Sequence, residues 1–199
     1  MTTPIPRRRR WTAAVAVVAA LTLGGCAAAP SAGGQGPESG PALLADHGLA
    51  GLDAVGVVDA LDVLPVAERS TELMASVRPD AVLLSDARGR ETRLEMPGDQ
   101  VYLSVAPYRS RTHECFFHSL TTCLGELGDT EVHVTVTSVD GAVLIDETRR
   151  TFDNGFVGLW VPRGVEGTLS VSADGRTGTV PFSTLSDEDP TCITTLQLA

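Results

Sequence analysis

Apolar residues recur at spacings of three over residues 42–72: Leu43 and Leu44, then Leu49, Leu52, Val55, Val58, Leu61 and Leu64. That period is the stripe of an amphipathic helix. His47-Gly48 closes a first short helix as a glycine after the last turn commonly does, and Asp53 sits early in a second, where an anion complements the dipole. Pro65 ends the second helix or opens another. Helices this short are unstable alone, so the stripe must bury against the rest of the chain or against a second copy, which makes a homodimer an expectation.

After Thr71 the period changes to two. Strands are predicted over 73–77, 81–85, 92–96, 100–106, 131–138, 142–151, 155–161, 167–173, 178–183 and 191–198, separated by turn clusters. Asp140-Gly141, Asn154-Gly155 and Asp174-Gly175 carry the residues that accept positive φ in tight hairpins. Val132, Val134 and Val136 fall on one face of their strand, with His133, Thr135 and Thr137 on the other. The expected fold is mainly β, an antiparallel sandwich or barrel-like arrangement, with a small N-terminal helical segment, α+β overall. One stretch breaks the rhythm. Residues 107–130 form a long connection without periodicity, and its two phenylalanines and two cysteines argue against disorder.

The N-terminus changes the expected location. Four arginines, Arg7 to Arg10, precede an apolar run from Trp11 to Leu23 that is too short to span a bilayer, and small residues lead to Cys26. This reads as a lipoprotein-type signal peptide over 1–25, with cleavage before Cys26 and lipidation of its thiol. Ordinary signal cleavage among Ala27 to Ala29 is the alternative. Residues 26–41 are rich in Ala, Gly, Ser and Pro and make a flexible tether. The domain reading is therefore signal 1–25, tether 26–41, a helical and candidate dimerising part 42–72, and a β-rich part 73–199. The protein is expected to be exported, lipid-anchored to the outer face of the cytoplasmic membrane or periplasmic.

Charge excludes one class of partner. The whole chain carries a formal −10, and loss of the signal leaves 11 basic against 25 acidic residues, near −14. With no lysine and no basic patch, the chain is repelled by phosphate backbones, so nucleic-acid binding is not expected. No Gly-x-Ser-x-Gly element, phosphate loop or dinucleotide fingerprint is present.

The remaining chemistry lies in the sulfurs. If Cys26 carries lipid, three cysteines remain, an odd number for an exported chain: Cys115, Cys123 and Cys192. Cys115 and Cys123 share the aperiodic connection with His118, and Cys192 reaches them only if the last strand lies beside that loop. Three thiolates make a trigonal Cu(I) site; two thiolates and an imidazole make another; all four groups suit tetrahedral Zn(II). Spacing alone does not choose among these. It equally allows a disulfide between Cys115 and Cys123, or one from Cys192 to the loop, or a dithiol that reduces Cu(II) as it becomes a disulfide. His118 is read as an auxiliary ligand or as the base that keeps a neighbouring thiol ionised. His113 is expected to face solvent, His133 to be a strand-surface residue, and Met74 and Met96 to fill core space. Phe116 and Phe117 are expected to pack the loop onto the sheets and keep water from the sulfurs, with the Thr121-Thr122 and Thr194-Thr195 hydroxyls as supports.

The run Glu114-Cys115-Phe116-Phe117-His118-Ser119-Leu120-Thr121-Thr122-Cys123-Leu124-Gly125-Glu126-Leu127, with Cys192-Ile193-Thr194-Thr195-Leu196, resembles the periplasmic copper-binding CueP family. His47-Gly48-Leu49, Leu64-Pro65-Val66 and Leu73-Met74-Ala75-Ser76-Val77-Arg78-Pro79 extend the resemblance through most of the mature chain. It implies a small dimerising N-terminal part before a β-rich part, copper as ligand, and Cys115, Cys123 and Cys192 as the copper-linked residues. It also implies lowering of copper toxicity and, as in enterobacteria, transfer of copper to a Cu/Zn superoxide dismutase. The lipobox and the arginine-only cations depart from that family, so the expected role is a surface-tethered copper buffer with a copper-accepting protein as partner. Binding of Cu(I) is expected rather than turnover, with zinc as the lesser metal and dithiol reduction of Cu(II) or a tethered sandwich module with a structural disulfide as the alternatives.

Overall fold

The computed structural model describes residues 39–199. The expected signal peptide, the lipidation site at Cys26 and most of the expected tether lie outside the described residues.

The helical stripe forms two helices, α1 (Ser39–Asp46) and α2 (Ala54–Asp62). α1 takes in the last residues of the expected tether. Asp53 is the N-cap of α2, its carboxylate accepting the Gly56 N–H at 2.9 Å. That bond satisfies one of the amides left open at a helix start, typically worth about 1 kcal/mol. The inner face of α2 consists of Ala54, Val57, Val58 and Leu61, and it ends on a buried carboxylate, Asp62.

Ten strands follow: β1 (Leu73–Val77), β2 (Ala81–Asp86), β3 (Glu91–Glu95), β4 (Gln100–Val105), β5 (Glu131–Ser138), β6 (Val143–Arg150), β7 (Val157–Pro162), β8 (Glu166–Ala173), β9 (Arg176–Ser183) and β10 (Cys192–Ile193). They make three open sheets, ordered β1-β2-β3, β10-β4-β7 and β6-β5-β8-β9. The antiparallel α+β expectation holds, and no barrel closes among the described residues. Alternation explains the layering. Val101, Leu103 and Val105 of β4 and Val157, Leu159 and Val161 of β7 share one core with Val132, Val134 and Val136 of β5 and Leu169 and Val171 of β8. The opposite face of the β4-β7 pair carries Tyr102 and Trp160, which join a second core with α1, α2, β1 and β2. The β4-β7 ribbon is thus a middle layer buried on both faces, as its almost unbroken apolar run requires.

The last segment departs from the expected antiparallel strand over 191–198. Only Cys192 and Ile193 form a strand, and they pair parallel to β4, Cys192 beside Ser104. Pro190 precedes it, and the rest of the segment is tied to Tyr108 instead, through Tyr108 N–H to the Leu196 carbonyl at 3.0 Å and Leu198 N–H to the Tyr108 carbonyl at 2.8 Å.

Candidate metal centre

The aperiodic connection is ordered by backbone pairing to β1: Val77 N–H donates to the His118 carbonyl at 2.8 Å and Leu120 N–H to that of Ala75 at 2.9 Å. Its later part docks on the β6–β7 turn, where Gly125 N–H donates to the Asn154 carbonyl at 2.6 Å. The approach is too close for side chains. A Cβ on Gly125 would lie 2.7 Å from the Gly155 carbonyl oxygen, and Gly155 has φ of 80°, so both positions need glycine.

Three sulfurs from two distant segments meet here. Cys115 and Cys192 are joined as a disulfide with Cα atoms 5.7 Å apart, and Cys123 is a free, buried thiol whose sulfur lies 3.5 Å from that of Cys115. Of the pairings the spacing allowed, the structure has Cys192 bonded to the loop. His118 is fully buried, with Nδ1 at 3.8 Å from the Cys192 sulfur. The donor atoms of His118, Cys123 and Cys192 all lie within 4.8 Å of one another, and so do those of His113, Cys115 and Cys123. An ion about 2.2 Å from three donors spaces them by roughly 4 Å, so each triad is near coordinating geometry once its sulfurs are reduced.

Phe156, fully buried, walls the sulfurs with Ala106. The expectation for the loop phenylalanines needs correcting: Phe116 is 54% exposed, and Phe117 lies under the Arg78 guanidinium at 3.8 Å, so the water-excluding ring is Phe156. The threonine hydroxyls also turn elsewhere. Those of Thr121 and Thr122 meet the Ser119 hydroxyl at 3.5 and 2.7 Å, and the N–H that reaches the Cys123 sulfur, at 3.3 Å, is that of Ser119. Met96 is buried as expected, but Met74 is half exposed and fills no core space.

Behind His118 stands a group the sequence reading missed. Asp62 accepts from the Tyr102 hydroxyl at 2.6 Å and from the Asn154 amide at 3.2 Å, and faces His118 Nε2 at 3.0 Å and Arg69 Nη2 at 3.9 Å. Arg69 also donates to the Cys123 carbonyl at 3.0 Å. Burial opposes ionisation of Asp62, but its hydrogen bonds to His118 and Tyr102 and the nearby positive charges outweigh it and hold the carboxyl below its ordinary value. An ionised Asp62 only accepts, so Nε2 carries the proton and Nδ1 is the atom turned to the sulfurs. Burial likewise disfavours the His118 imidazolium, yet Asp62 and Cys123 raise its pKa. Burial pushes the Cys123 thiol up, but His118, the Ser119 N–H and Arg69 bring it below the ordinary thiol value. Carboxylate, imidazole and sulfur in sequence form the arrangement that orients a histidine ligand and raises its basicity.

Asp62 was legible in one respect. It continues the Ala54, Val58 row of α2, and a carboxylate on a buried stripe demands a partner.

The sequence profile of a family described as periplasmic copper-binding protein CueP matches residues 56–197. A crystal structure of S.CueP is similar at 42% identity with a TM-score of 0.75, covering 81% of this chain and 98% of that one. No curated protein matches the chain.

Proposed function

Because the chain belongs to the periplasmic copper-binding CueP family, we propose that it holds Cu(I) through Cys115, Cys123 and Cys192, with His118 as fourth donor or as the group that keeps Cys123 ionised. The observation that carries this reading is the convergence of three sulfurs and a buried imidazole in one recess walled by Phe156, at distances an ion spans. Soft thiolates select Cu(I). Zn(II) fits the same four donors less selectively. With lipid on Cys26, the protein would act as a copper buffer tethered at the cell surface, releasing its cargo to a copper-accepting protein. Docking of a second copy through the 42–72 part belongs to the same proposal.

The Cys115–Cys192 disulfide favours a second reading. Two thiolates can give one electron each to two Cu(II) ions, forming two Cu(I) and the disulfide, with Cys123 left free to hold a product ion. Regeneration then needs an external dithiol.

Titration of the reduced protein with Cu(I) against a chromophoric chelator tests the binding reading. Tight binding by the wild type and its loss in a Cys115→Ser, Cys123→Ser, Cys192→Ser triple variant is the expected result; equal binding by the two proteins rejects it. Stoichiometric Cu(I) production from Cu(II), with two thiols lost per two ions, separates reduction from storage.

A further inference from the structure

The two donor triads share Cys123 and differ in access. His118 and Cys192 are 0% and 3% exposed, whereas His113 is exposed and Cys115 half-buried. A cavity of roughly 620 Å³ opens onto His113, Cys115 and Cys123, and neither His118 nor Cys192 lines it. Phe156 is flanked by both imidazoles, its ring centroid 6.2 Å from that of His113 and 4.7 Å from that of His118. An ion from solvent therefore meets the outer triad first. The His113 ring makes no hydrogen bond or ion pair among the described residues, so its nitrogens are free to ligate.

We propose that His113, Cys115 and Cys123 form an entry site that takes Cu(I) from solvent and passes it inward to the Cys115, Cys123 and Cys192 site beside His118, by exchange of His113 for Cys192 about the two shared sulfurs. The relay rests on the copper-binding reading above and operates on the reduced protein, with Cys115 and Cys192 as thiols. Cys115 and Cys123 keep their bonds to copper throughout. The bond to His113 breaks as that to Cys192 forms, and the proton leaving the Cys192 thiol is released to solvent. The oxidation state of the ion is unchanged. The 3.5 Å separation of the Cys115 and Cys123 sulfurs makes the outer site reachable by small side-chain movement, and keeping two bonds while the third exchanges avoids free hydrated copper at any stage.

Stopped-flow transfer of Cu(I) from a coloured bicinchoninate complex to the reduced protein tests the relay, comparing wild type, His113→Gln and His113→Met. An entry ligand lowers the same barrier in both directions, so in His113→Gln loading and release should both slow about tenfold, and the thioether of His113→Met should restore them. Unchanged rates in His113→Gln overturn the relay alone. So does unchanged loading with faster release, which would make His113 a resident ligand. A wild-type protein that takes no Cu(I) from the chelator overturns both the relay and the copper-binding reading. His113 is exposed, so its replacement leaves the fold intact.

Discussion

Reduction of the Cys115–Cys192 disulfide should loosen the protein by a definite amount that Cu(I) then restores. The bond links residues 77 apart in sequence. Releasing a loop of that length adds about 15 cal/mol/K of entropy to the unfolded chain, or about 4.5 kcal/mol at room temperature. The folded state should survive the loss, because its neighbours hold the last segment independently. Ser104 N–H donates to the Thr191 carbonyl at 2.8 Å, Ala106 N–H to that of Ile193 at 2.9 Å, and the Thr191 hydroxyl to that of Val77 at 2.7 Å. The cost then falls on the equilibrium, and at about 2–4 °C per kcal/mol for a domain of this size the midpoint should drop by roughly 9–18 °C. Cu(I) held between the same segments closes the loop again. At about a thousand times its Kd it contributes about 4 kcal/mol and should return the midpoint close to the oxidised value. Differential scanning calorimetry of the oxidised, phosphine-reduced and reduced Cu(I)-loaded protein measures all three. A reduced protein melting within about 3 °C of the oxidised one would refute the loop argument, and a Cys115→Ser, Cys192→Ser variant that still responds to reductant would show that another bond is responsible.

Asp62→Ala strips Tyr102, Asn154 and His118 of a shared buried acceptor and should cost about 3–5 kcal/mol, with Asp62→Asn costing about 1.5–3 kcal/mol, by urea denaturation. Because the folded Asp62 carboxyl is held below its ordinary value of 3.8, its contribution is present above that pH and lost as pH falls through the folded pKa; Asp62→Asn should lack this part of the acid loss. Alkylation of Cys123 in the oxidised protein should persist below the ordinary thiol value of 9.0; in His118→Ala, where burial acts without the imidazole, the rate–pH curve should move upward, and an unmoved curve contradicts the pairing. In Gly158→Ala the new Cβ would lie 1.7 Å from the Tyr102 hydroxyl oxygen, so Tyr102 must leave Asp62, at a cost of at least about 2 kcal/mol in the same denaturation assay.

The strands and the sulfurs were readable in the sequence because each carries a local signature. Alternation of valines set the faces of β5, Asp174-Gly175 marked a hairpin whose residues have φ of 50° and 75°, and thiol-bearing residues announce themselves by type. The parallel pairing of β10 was not readable, since two residues carry no period and the choice of neighbour is made by β4 far upstream. Phe116 misled because apolar character does not fix direction in an aperiodic loop. Phe156, the ring that shields the sulfurs, sits on a turn next to a glycine and looks like an ordinary strand start. Asp62, Arg69, Tyr102 and Asn154 lie on separate elements, and only the packing of α2 against the β4-β7 layer assembles them.

The position of Cys192, downstream of both helices, the loop thiols and nine strands, has a bearing on biogenesis. During translocation all of those elements emerge before it does. On the proposed copper reading, a nascent chain crosses with a half-made pocket, and the three-sulfur site is complete only once the last sulfur is across. Products truncated ahead of it cannot form the Cys115–Cys192 bond.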